Sequence, residues 1–273
     1  MSLNSIIKSV CADAYIEAAD RGRAKSQIIL ADDKKNYFVK FQPNPQGPKT
    51  LVNELMANSI ARFLGVPCPE GKLINIGQEF LDYNPALQRR FGAMPISPGW
   101  HFGVEELKDI YKNPPPATLA RIHNVSAVPA ILVFDILMCN TDRNSHDNYL
   151  IVKSRTSPER LSLYAIDHGH CLSGPNWIDT WLKGQVGAWE QNVINEMARL
   201  IHGVDPFRDA LARLAQLSSA YVEGVISHIP NEWGLAMGER AAILEFIMEH
   251  KMHVGRLLEE NRNLFPLWGA RNG

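Results

Sequence analysis

The sequence predicts an α+β protein, with a β-rich amino-terminal part, a polar loop and β-ribbon in the middle, and a helical carboxy-terminal part. Three observations lead there. Short runs such as Gln27 to Leu30, Tyr37 to Phe41 and Leu73 to Ile76 are rich in β-branched and aromatic residues and bounded by turn residues. Tyr149 to Lys153 and Leu161 to Ile166 flank the turn Ser154-Arg155-Thr156-Ser157-Pro158-Glu159-Arg160, as two antiparallel strands would. From Val193 to Phe265 apolar and charged faces alternate with helical period over 193–202, 207–229 and 239–261, with breaks at Gly203, Pro206 and Pro230-Asn231-Glu232-Trp233. Strands first and helices last is not the alternation of a βαβ sheet.

Taken in order, Ser5 to Tyr15 has no clear period and reads as a strand or short helix leading into the basic turn Asp20-Arg21-Gly22-Arg23-Ala24-Lys25-Ser26. That turn lacks the spacing of a Walker loop, and a solvated hairpin is its plain reading. In Tyr37-Phe38-Val39-Lys40-Phe41, Lys40 shares a face with Phe38, while Tyr37, Val39 and Phe41 share the other. A lysine so placed commonly reaches to solvent. Leu51 to Leu64 sets Val52, Met56, Ile60 and Phe63 at helical spacing, with Thr50 as N-cap and Gly65 and Pro67 closing it; by itself, Glu54 is an ordinary helix carboxylate. Gly71 to Leu81 reads as extended, and the Pro- and Gly-rich segment Asn84 to Gly103 as a lobe boundary or lid. Glu105 to Tyr111 and Ala117 to Asn124 look helical. Pro129 to Cys139 reads as a buried helix carrying one carboxylate, Asp135, seven residues before Asp142; buried, it must accept hydrogen bonds, and the loop backbone is the expected donor.

Chemistry concentrates in Asn140-Thr141-Asp142-Arg143-Asn144-Ser145-His146-Asp147-Asn148 and Ala165-Ile166-Asp167-His168-Gly169. If the two strands between them pair antiparallel, Asp167 returns beside Asn148 and Asp147. Adjacent carboxylates raise one another's pKa unless a cation lies between them. Mg²⁺ takes one or two protein carboxylates and completes its shell with water and phosphate oxygens, which suits a site for ATP. The plain alternative is turn chemistry, since Asn, Asp and Gly are ordinary loop residues. Arg143 could meet developing phosphate charge or pair with Asp135. His146, His168 and His170 have no zinc-motif spacing.

These two motifs resemble the active-site pair of the HipA-like kinases and, more distantly, of the type II phosphatidylinositol 4-kinases within the protein-kinase-like superfamily. The resemblance extends through Lys40, Asn53-Glu54, Leu64-Gly65-Val66-Pro67, His101-Phe102-Gly103 and Ile229-Pro230-Asn231-Glu232-Trp233. It implies a two-lobed protein-kinase-like fold, here divided as 1–83 and 84–273, and an ATP- and Mg²⁺-dependent phosphotransferase. Asp142 would orient or deprotonate an acceptor hydroxyl, Lys40 would contact ATP phosphates and Glu54 would steady Lys40. Gly22, Lys25 and Ser26 would cover phosphate, and Glu79, Phe80 and Leu81 would form the adenine-gripping hinge. Asp167 would hold metal. The family's metal-binding Asn stands five residues after the catalytic Asp, where this chain has Asp147; either the loop is longer by one and Asn148 is the ligand, as strand entry favours, or Asp147 ligates. The implied acceptor is a protein Ser or Thr, with a lipid or small molecule open. Two rival readings are an inactive nucleotide-binding module that docks a partner, and a two-metal hydrolase built on Asp142, Asp147 and Asp167.

Composition supports an ordinary cytoplasmic protein. The 28 basic and 29 acidic residues nearly cancel, so no general attraction to nucleic acid or anionic membrane is expected. Four cysteines without C-x-x-C spacing point to reduced thiols rather than a zinc module or disulfide scaffold. Met1 to Arg21 lacks the order of a signal peptide. The longest apolar run, Val128 to Cys139, is far short of the ~20 residues of a membrane span.

Overall fold

The computed structural model describes residues 7–19, 24–111, 115–144, 146–157, 159–193 and 195–270. Its amino-terminal part is a closed barrel of β1 (Lys8–Ala18), β2 (Gln27–Ala31), β3 (Asn36–Lys40), β4 (Gly71–Ile76) and β5 (Gly99–Glu105), in the order β1-β2-β3-β5-β4. Antiparallel pairing runs round the barrel until β1 returns parallel to β4, with Lys8 opposite Lys72 and Cys11 opposite Asn75. Two irregularities in β1, between Ala12 and Ala14 and between Tyr15 and Glu17, give this long strand its bend. The alternation in β3 sends Tyr37, Val39 and Phe41 inward to meet Ile29, Ile74 and Ile76, leaving Phe38 and Lys40 on the outer face. Gly103 of β5 is required by close approach, because a Cβ there would lie 2.8 Å from Ile74 Cγ1.

The barrel takes β5 from beyond the 83/84 division drawn from sequence. Extended structure ends at Ile76, and two helices intervene where the sequence predicts a continuing strand: α2 (Gln78–Tyr83) and α3 (Pro85–Phe91). Their Leu81, Leu87 and Phe91 fill the end of the barrel, with the Phe91 ring edge-on to Phe41 at 5.3 Å. Burial of those three side chains outweighs the loop-forming tendency of a segment rich in Pro and Gly.

One helix joins the two lobes. Here α1 denotes Thr50–Phe63, buried continuously from Thr50 to Ala61. Thr50 is its first residue rather than its cap; the Thr50 hydroxyl donates to Gly47 O at 2.9 Å and fixes the preceding turn. The apolar side chains of α1 merge with the core of the second lobe rather than with the barrel interior. Nearly every side of α4 (Val128–Leu137) is buried in that core too, as its sequence predicts.

β6 (Tyr149–Lys153) and β7 (Leu161–Ala165) pair antiparallel, Tyr149 opposite Ala165 and Lys153 opposite Leu161. Glu105 to Tyr111 is not helical: Glu105 ends β5, and Ile110 and Tyr111 pair with the edge of β6. The remainder is α5 (Asp179–Gly184), α6 (Asn195–Ala198), β8 (His202–Gly203), α7 (Arg208–Ala215), α8 (Ser219–Ser227), α9 (Met237–His250), α10 (Val254–Glu260) and β9 (Leu267–Trp268). Ser218 separates α7 from α8 by accepting from Tyr221 N at 3.2 Å as an N-cap.

The lobes are tied by polar bonds as well. Lys49 meets Glu239 at 2.6 Å, and the Tyr221 hydroxyl donates to Ser59 O at 3.0 Å. Trp100 N donates to Glu232 Oε1 at 3.0 Å, while Trp233 Nε1 donates to Trp100 O at 2.8 Å. Among the described residues no helix is long and apolar enough to cross a membrane.

If the barrel end is sealed by α3, Phe91→Ala lowers stability in urea denaturation by about 3–5 kcal/mol, the usual range for truncating a buried Phe. A loss below about 1 kcal/mol would show that the plug carries no packing energy.

Candidate active site

Lys40 ends β3 on the outer face of the barrel, pointing at α1. Its ammonium is only 11% exposed and donates to Glu54 Oε1 and to Asp167 Oδ1, the latter at 2.6 Å. Burial alone would pull this ammonium down, but the Asp167 and Glu54 carboxylates raise it, so it stays charged. Burial pushes the Glu54 carboxyl up against the pull of Lys40. Burial also works upward on Asp167, but Lys40 outweighs it and holds that carboxyl at about 2. Gly169 eases this approach, since a Cβ there would lie 3.1 Å from Thr50 Cγ2 and 3.4 Å from Glu54 Oε1, and Thr50 would have to give by a few tenths of an ångström.

The ribbon returns as its sequence predicts. Ile166 N donates to Asn148 O at 3.1 Å, which brings Asp167 back beside the end of the loop. Asp167 sits at φ +54, a left-handed position that Asp and Asn tolerate better than most residues other than Gly. Asn148 is buried, and its Nδ2 donates to Asp142 O at 2.5 Å and to Asp142 Oδ2 at 2.9 Å. Asp147 lies exposed on the single turn His146–Asn148, which makes strand entry the position of Asn148.

Asp135 is buried as expected, accepting from Asn140 Nδ2 at 2.8 Å and from Arg143 Nε at 2.9 and 3.1 Å. Burial pushes its carboxyl up, and Arg143 opposes that. Arg143 is wholly enclosed, and of the two roles open to it in sequence the structure shows the pairing with Asp135. His168 lies behind the loop against Phe134, with burial and then Arg143 holding it neutral. Among the described residues no three His, Cys, Asp or Glu side chains converge as metal ligands.

Other expected contacts fall elsewhere. Lys25 Nζ donates to Arg90 O at 2.9 Å and lies over the Phe91 ring, tying the β1–β2 connection to α3. Ser26 comes next in the chain, accepting from Ala19 N at 3.1 Å, while Gly22 lies outside the described residues. Glu79, Phe80 and Leu81 are in α2, with Leu81 in the barrel plug, so they do not form the exit of the last strand. That exit is Glu105 and the residues after it, at the end of β5.

The resemblance includes Asn53 beside Glu54 but assigns it no role. Its buried Nδ2 lies 2.8, 2.8 and 2.9 Å from Gly169 O, Cys171 O and Gly174 O, and its Oδ1 accepts from Trp177 Nε1 at 2.8 Å. An amide among the apolar residues of a buried helix is the available signal, because such a group must find partners.

Residues 13–263 match the model of the HipA-like kinase family. The chain belongs to that family. As a HipA-like kinase it is a phosphotransferase, with the two-lobed protein-kinase-like α+β fold. It is similar to the Helicobacter pylori proinflammatory kinase CtkA, at 13% identity and a TM-score of 0.62 over 94% of this chain and 98% of that one. A looser likeness, to the Golgi casein kinase with Mn/ADP bound, has 14% identity and a TM-score of 0.47 over 94% of this HipA-like kinase and 75% of that chain. No curated protein matches the chain.

The depressed Asp167 pKa has a direction in stability. An unfolded Asp titrates near ~3.9, so between about pH 4 and about pH 2 the unfolded chain binds more protons at this residue, and stability is lost as pH falls through that window. Asp167→Asn flattens the stability curve there, read by urea midpoints at successive pH values; parallel curves for both proteins would contradict the Lys40 pairing.

Proposed function

We propose that this kinase transfers the terminal phosphoryl group of ATP, with Mg²⁺, to the hydroxyl of a protein Ser or Thr. The observation that carries it is one buried ammonium, Lys40, held between Glu54 and Asp167, with Asp142 pinned by Asn148 at the entry to the same ribbon.

The donor set fits a hard cation. Among the described residues Asp167 Oδ2 and Asn148 Oδ1 carry no hydrogen bond, Asp167 is ionised at neutral pH, and both are oxygen donors. Asn148 and Asp167 would therefore hold Mg²⁺, with Asp147 exposed on the preceding turn and outside that pair. When bound, the cation would neutralise charge on the phosphate oxygens.

The protein's own groups would do the rest. Glu54 aims Lys40, whose ammonium would bind phosphate oxygens. Asn148 fixes one Asp142 oxygen, leaving the other to accept the hydrogen bond of the acceptor hydroxyl and take its proton as the phosphoryl group moves. Positioning and fixed charge, rather than covalent chemistry, supply the rate enhancement. The segment after β5, from Glu105 onward, would take the adenine-contacting place expected of 79–81.

Incubating the protein with γ-labelled ATP, Mg²⁺, casein and phosphatidylinositol vesicles tests this. Label should enter Ser or Thr of casein or of the chain itself, falling roughly 10²–10³-fold in Lys40→Met and below detection in Asp142→Ala. Label in the lipid fraction alone would replace the protein acceptor, and stabilisation by ATP without transfer would overturn the proposal.

A further inference from the structure

Arg143 does more than neutralise Asp135. Its Nε reaches both Asp135 oxygens, its Nη1 donates to Asn148 O and, at 3.1 Å, to Ile166 O, and its Nη2 lies 3.2 Å from His168 Nδ1. Those last three partners are the backbone of Asn148 and the two neighbours of Asp167. The donor at Nδ1 places the His168 proton on Nε2, where it is buried without a partner among the described residues, so the imidazole is held from the arginine side. Gripping residues 166 and 168 holds Asp167 between them in its left-handed conformation.

We propose that Arg143 is a positioning residue for the divalent cation, setting the spacing of Asn148 and Asp167 through its bonds to their backbone and neighbours. The inference rests on those two residues being the ligands. A planar fork bonded to a carboxylate, two carbonyls and an imidazole cannot be copied by lysine, whose single ammonium reaches fewer acceptors from one point. Groups that orient ligands without touching the metal commonly govern its affinity.

The test is Mn²⁺ binding, followed as loss of the free-ion electron paramagnetic resonance signal with a non-hydrolysable ATP analogue present. In Arg143→Lys the Mn²⁺ dissociation constant should rise roughly 10–100-fold, and kcat should recover at high Mn²⁺ because Lys40 and Asp142 remain. If the single variant does not fold, Asp135→Asn combined with Arg143→Gln removes both charges together and leaves none unpaired, and should show the same loss. Asp167→Asn separates the two ideas. Mn²⁺ affinity kept in that variant would remove the ligand assignment; affinity lost there but unchanged in the folded Arg143 variants would overturn the positioning role alone.

Discussion

A single ammonium shared by two carboxylates from distant parts of the chain governs the arrangement of this kinase. Lys40 comes from the barrel, Glu54 from α1 and Asp167 from beyond the ribbon, and the three meet with Lys40 and Glu54 buried and Asp167 partly open to solvent. Taking such charges out of water is costly, and removing one of them leaves another uncompensated. The barrel, the connecting helix and the loop after β7 are therefore held in one mutual placement.

Around that centre the supports are nested. Asn53 gathers three carbonyls downstream of Asp167, so the loop cannot drift from α1. Arg143 gathers the opposite side, joining α4 through Asp135 to both ends of the ribbon. The ties from Lys49, Tyr221 and Trp233 then bind α1 and β5 to the second lobe. Each uses a buried or half-buried polar group with a hydrogen-bond partner, the condition under which such groups hold one conformation rather than weaken the core.

How much of this is legible in the sequence depends on whether the deciding contacts are local. Alternation in 37–41 puts Lys40 opposite the three barrel-facing side chains, and the lone Asp135 in an apolar helix announces a need for donors close by. The return of Asp167 to Asn148 comes from two strands of similar length. Tertiary packing sets the rest, out of reach of local pattern. Leu81 reads equally well as the end of a strand or as a helical plug, and only the open mouth of the barrel decides. Glu105 reads as a helix start because nothing nearby reveals that β3 lies alongside it. The charge of Lys25 suggests phosphate, yet its chain position puts it within reach of Arg90 O. Asn53 is bonded to groups more than a hundred residues away, beyond any periodicity argument.

Closure of the barrel, with β1 lying parallel to β4, leaves that sheet without an open edge. The ribbon is sheathed as well, by Ile110 against Val152 on one margin and Ile122 against Leu161 on the other. Among the described residues a guest polypeptide consequently finds little unpaired backbone along the ribbon or the β1–β4 seam, so β-augmentation has little to build on there. Selectivity for whatever the kinase modifies must then be written in side chains and loop surfaces, features free to diverge without disturbing the sheets beneath.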